Sequence, residues 1–186
     1  MRIDINQQKI SLGEKYDVFI DGQASYRASS SLFRILRVIN LYTVDGDQPL
    51  LTIKRRWSFI IKKYDIIRKG ELYRFRVVKF WRRHLQCAVG KDLYDIYGHR
   101  SRKFSVYKND VQVAWWEESR VTWFKGDNYA MLADNDGDRE MLIAFCLIID
   151  DSHSRKKHGA VNIHLGYIGP EDRPFNPSWT PKGFAI

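Results

Sequence analysis

The chain has 186 residues, 44% of them hydrophobic, with ten Phe, ten Tyr and six Trp. That composition supports one packed domain and argues against disorder or a chain of several domains. The formal net charge of +9 favours acidic partners such as nucleic acid, an anionic membrane or an acidic protein surface, while two cysteines, Cys87 and Cys146, are too few for a disulfide framework and read as free thiols of a reducing, cytoplasmic compartment.

Residues 1–14 carry charges throughout and hold no apolar core of a secretory signal; they are read as an N-terminal extension. From Lys15 the chain alternates in short segments. Tyr16, Val18 and Ile20 share one face of a strand that ends at Asp21-Gly22, a hairpin signal. Ala24–Ala28, Phe33–Asn40 and Leu51–Lys54 continue the pattern. Ile60–Ile67 and Leu72–Val78 make the clearest hairpin, with Tyr73, Phe75 and Val77 on one face and Arg74 and Arg76 on the other. Further strands are expected at 84–89, 93–97, 104–108, 111–117, 120–125 and 128–133, giving twelve from Tyr16 onward.

Met141 to Ile149 is a run of nine apolar residues between acidic brackets, Asp134–Glu140 before it and Asp150-Asp151 after it. It is far shorter than the roughly twenty residues of a membrane span. Regular strands argue a sandwich or barrel, and a barrel of about twelve strands is too wide for its own side chains to fill. A helix about 10 Å across, apolar on every side, would fill it. The expected fold is therefore mainly β: a twelve-stranded closed antiparallel barrel, residues 15–155, around a central buried helix at about 138–153. Asp136 or Asp138 is the expected N-cap, with Arg155–Lys157 and Gly159 at the other end. The Pro-containing tail 156–186 either wraps over the barrel through Tyr167, Phe175, Trp179 and Phe184 or is disordered.

Asn128-Tyr129, the acidic loop Asp134–Asp138 and the segment MLIAFCLIID at 141–150 resemble the tubby C-terminal-like superfamily, which includes phospholipid scramblases and the LURP-one-related proteins. The resemblance covers roughly residues 15–152. It implies the barrel with a central helix. By analogy with tubby it implies phosphoinositide binding on a basic wall, and by analogy with scramblases a calcium loop and lipid movement. For the LURP-one-related group it implies no established activity.

Lys54 to Arg83 holds twelve basic residues and two acids, a net +10 that leaves −1 for the rest of a chain of +9. By alternation Lys54, Arg56, Lys63, Arg74 and Arg76 point outward and share one wall, flanked by Trp57 and Trp81. Such a patch suits anionic lipid headgroups; the bland reading is a solvated face that discourages aggregation. Nucleic acid would use the same charges, but no basic helix or aromatic RNA-binding signature accompanies them. Asp134, Asp136 and Asp138 form a candidate calcium loop, although Arg139 and Phe145 stand where an EF-hand needs Gly and Glu. Capping and a tight turn explain the loop more simply. No catalytic or zinc motif is present. The expectation is a non-enzymatic domain without cofactor that binds anionic lipid peripherally, the alternative being a structural module or one that meets an acidic protein.

Overall fold

The computed structural model describes residues 1–10, 13–33, 36–58, 63–79, 83–119, 128–154 and 171–183. Among them twelve strands form the wall: β1 (Arg2–Ile10), β2 (Gly13–Ile20), β3 (Gln23–Phe33), β4 (Leu36–Thr43), β5 (Leu51–Arg56), β6 (Lys63–Arg68), β7 (Glu71–Lys79), β8 (His84–Val89), β9 (Asp92–Gly98), β10 (Lys103–Lys108), β11 (Val111–Ser119) and β12 (Asn128–Ala133). One helix follows, α1 (Arg139–Ser154). Each strand pairs antiparallel with its sequence neighbours, and β1 closes the barrel by pairing with β12, Arg2 opposite Leu132 through Asn6 opposite Asn128.

The expected architecture is met, and one strand that was not expected joins it. Residues 2–10 are not an extension but the closing strand β1. Ile3 and Ile5 face inward, and the third inward position is Gln7, fully buried, which interrupts the apolar alternation that marks a half-buried strand. The strand expected at 120–125 falls outside the described residues. So do Trp81, Arg155–Lys157, Gly159, Tyr167 and Phe184. β11 pairs directly with β12, Glu118 opposite Tyr129.

Tight turns gather at one end of the barrel. At Asp21-Gly22 (φ 48° and 83°) and Lys69-Gly70 (φ 51° and 80°) both central residues are left-handed. That is the hairpin turn matching the strand twist, and glycine takes the second position without a steric penalty. The helix enters at this end. Asp138 caps it, its Oδ1 accepting from the Met141 amide at 3.3 Å and its carbonyl from the Leu142 amide at 3.0 Å.

Met141 through Cys146 and Leu147 are fully buried, and Ile148 and Ile149 are exposed by only 1% and 3%. The wall supplies inward side chains all round them. The Phe145 ring packs 5.7 Å from Phe75 and 5.4 Å from Tyr94. The helix and the inner faces of the strands thus make one continuous core. A sheet of this circumference would collapse or flood without its apolar rod, which ties the barrel's curvature to nine residues far along the chain.

Candidate functional site

At its far end α1 carries two carboxylates into the barrel, Asp150 and Asp151, 2% and 0% exposed. Helix dipole and burial both disfavour negative charge there, so the wall must supply donors. Tyr16 donates to Asp150 at 2.6 Å, Gln7 at 3.3 Å, and Tyr129 also donates to it. Asp151 accepts from Arg37 at 2.6 Å and from Tyr64 at 2.6 Å, and Arg37 also reaches Glu14 at 3.0 Å. Burial first, and the adjacent carboxylate second, push the Tyr16, Tyr64 and Tyr129 hydroxyls well above the phenol range. They therefore stay protonated and donate. This cluster fixes how far the helix enters and anchors β4 and β6.

One of these anchored strands, β6, presents the basic wall together with its neighbours β5 and β7. On β5, Ile53 and Arg55 turn inward, so Lys54 and Arg56 turn out; on β6 and β7 buried Tyr64 and Phe75 put Lys63, Arg74 and Arg76 on the outside. All five expected residues are exposed on three adjacent strands. Register sharpens the picture. Arg56 and Lys63 are direct cross-strand partners, a like-charge pair that costs folding energy. Lys54, Asp65 and Arg74 lie in one cross-strand row. Asp65 is the single carboxylate within this group of five cations, and it makes a loose 3.7 Å pair with Arg56. An exposed pair of that kind contributes little. Lys54, Lys63, Arg74 and Arg76 have no ion pair among the described residues.

The limits of the wall are set by two paired cations. Arg68, at the helix-entry end of β6, holds Asp138 at 2.7 Å. Lys79, at the end of β7, holds Asp172 at 2.9 Å. Asp172 belongs to a strap, residues 171–183, that runs lengthwise over β8–β11. Its Arg173 lies over the Tyr107 ring at 3.7 Å and binds Asp110 at 2.6 Å; Phe175 meets Trp115 edge-on at 5.4 Å. The strap ends at the acidic loop, where Asp134 accepts the Lys182 amide at 2.6 Å. Of the calcium candidates, Asp134 is thus buried against the strap, Asp138 caps the helix and binds Arg68, and Asp136 is exposed. Of the two alternatives open for the tail, wrap or disorder, the described part with Phe175 packs against the wall.

Sequence reasoning missed the carboxylate cluster and left the strap undecided between wrap and disorder. Asp150 and Asp151 were visible only as brackets of the apolar run, and their partners stand up to 143 positions away. Glu14 and Arg37 gave no local signal at all.

With this geometry in place, comparison with known families becomes informative. A family model described as LURP-one-related matches residues 1–150. The chain belongs to the LURP-one-related family. Comparison with curated proteins and with solved structures gives no significant match. The family match takes in all of β1, so the LURP-one-related domain begins before the Lys15 boundary expected from alternation. It ends at residue 150, within α1, and the strap lies beyond it. No helix among the described residues of this LURP-one-related chain is long and apolar enough to cross a membrane.

Proposed function

We propose that this LURP-one-related barrel is a non-enzymatic binding domain that docks on anionic phospholipid or phosphoinositide headgroups through the outer wall of β5–β7. The observation that carries the reading is the row Arg56–Lys63 with Arg74, Arg76 and Lys54 around it. Cations are set against one another there, with one carboxylate among five. An anionic surface would relieve that repulsion, each cation near it contributing about 1 kcal/mol. Like charges directly opposite one another cost the fold stability. Both thiols support the non-enzymatic part. Burial pushes the Cys87 thiol up to about 12 and raises the Cys146 thiol well above its ordinary value, so neither is a nucleophile at neutral pH.

Vesicle co-sedimentation tests the reading. Vesicles containing phosphatidylserine or phosphoinositide are expected to retain the protein at low salt, and neutral phosphatidylcholine vesicles to leave it in solution. Equal retention by both, or none by either, contradicts it. Stoichiometric capture of an acidic protein without lipid retention would instead favour a protein-interaction module on the same wall.

A further inference from the structure

Two exposed apolar side chains stand together at one end of the basic wall. Trp57, 63% exposed, stands immediately after Arg56 at the end of β5, and Val78, 45% exposed, stands two residues beyond Arg76 at the bulge between Val77 and Lys79 of β7. Strand direction puts both at the same rim, the end of the barrel where α1 finishes. Arg56 pairs with Lys63 in register. Arg76 follows Phe75, whose partner Tyr64 follows Lys63. Arg56, Lys63 and Arg76 therefore form one row directly beneath the rim, with strands about 4.8 Å apart. The rim is backed from inside by the Asp151–Arg37–Tyr64 cluster, so it is presented on anchored strands.

A Trp and an aliphatic side chain above a row of cations match a bilayer interface in order. Indole sits at the headgroup level, aliphatic surface dips below it, and Arg and Lys hold the phosphates. A soluble phosphate answers the cations and leaves the apolar rim in water, and a nucleic acid, whose bases can stack on an indole, offers nothing to the aliphatic side chain. We infer that the partner is a membrane and that the barrel docks end-first, the Trp57–Val78 rim entering the headgroup layer while Arg56, Lys63 and Arg76 engage lipid phosphates. This rests on the anionic-surface reading above and adds the orientation and the bilayer.

The wall contains its own control. Leu72, 52% exposed, also lies on β7 but at the opposite end, two residues before Arg74. Trp57→Ser, Val78→Ser, the pair together and Leu72→Ser are compared by co-sedimentation with phosphatidylcholine–phosphatidylserine vesicles, in low and high salt. Melting curves of each variant confirm folding. The double rim variant is expected to bind the vesicles about tenfold more weakly or worse, given the apolar area withdrawn from the interface, and to lose the salt-resistant part of binding. Its affinity for soluble inositol hexakisphosphate is expected to stay unchanged, and Leu72→Ser to bind vesicles like the unmodified chain. Full vesicle binding by the double rim variant, or an equal loss with Leu72→Ser, overturns the end-first orientation. If Arg74→Glu/Arg76→Glu abolishes binding while the rim variants do not weaken it, only the orientation falls. If the unmodified chain ignores anionic vesicles, both readings fall.

Discussion

The two sides of this barrel treat their charges in opposite ways. On β9–β11 nearly every cation has an acid beside it. Lys108 binds Asp92 at 2.9 Å, Lys103 reaches Glu117 at 3.6 Å and Arg102 pairs with Glu118. The strap adds Arg173 on Asp110 and Glu171 on His99, the latter at 3.2 Å. On β5–β7, between the paired Arg68 and Lys79, Arg56 faces Lys63, and Asp65 is the single acid within the group Lys54, Arg56, Lys63, Arg74 and Arg76. Both walls close over the same helix, so the fold does not require the imbalance. One side answers its own charges; the other does not, and it is the side we propose to meet an anionic surface.

Four experiments break or sharpen that contrast. The largest effect acts on what the two walls share. Ala144→Asp places a carboxylate where the native residue is fully buried, and the chain is expected to lose cooperative unfolding altogether, seen by circular dichroism, because the core has no partner for the charge. Next, Arg37→Ala withdraws the guanidinium from buried Asp151 beneath the bare wall, and is expected to cost about 3–5 kcal/mol in denaturant titration. The third compares the walls directly. Arg74→Glu with Arg76→Glu should leave stability within about 0.5 kcal/mol yet weaken binding to anionic vesicles at least tenfold. Lys103→Glu with Lys108→Glu should do the reverse, lowering the melting temperature and sparing vesicle binding.

The smallest effect is one of pH and belongs to the strap side. His99 is 1% exposed, with Glu171 on Nδ1 and Ser105 on Nε2, Phe175 against its ring and Lys103 over Phe175. Burial depresses its pKa below the ordinary value, although Glu171 pulls the other way. The folded form therefore resists protonation. Its contribution is complete above about pH 6.5 and is lost as pH falls through the depressed value. Proteolysis of the strap is expected to speed up modestly on acidification below about pH 6.5, and His99→Gln should flatten that dependence.

Much of this was legible in the sequence, for definite reasons. The helix at 141–149 was readable because a residue such as Ala144 or Cys146 on an all-apolar run has no place on a solvated helix. The outward set Lys54, Arg56, Lys63, Arg74 and Arg76 was readable because strand alternation has a period of two and clean apolar partners marked the inner face. β1 was not, because its third inward residue is Gln7, chosen for a hydrogen bond to Asp150 that no local pattern announces. The strap was not, because proline-rich chain without a period is held by single anchors such as Arg173 and Phe175. The opposition of Arg56 and Lys63 needed the hairpin register, which depends on a turn length that alternation alone leaves open.

The central claim is that β5–β7 is the binding side and β9–β11 is not. The most direct measurement is a backbone amide NMR titration with soluble inositol hexakisphosphate. The account requires shift changes concentrated at Lys54, Arg56, Lys63, Arg74 and Arg76, weakening as salt is raised, with Lys103 and Lys108 undisturbed. Changes centred on β9–β11, or none on β5–β7 at low salt, would contradict it.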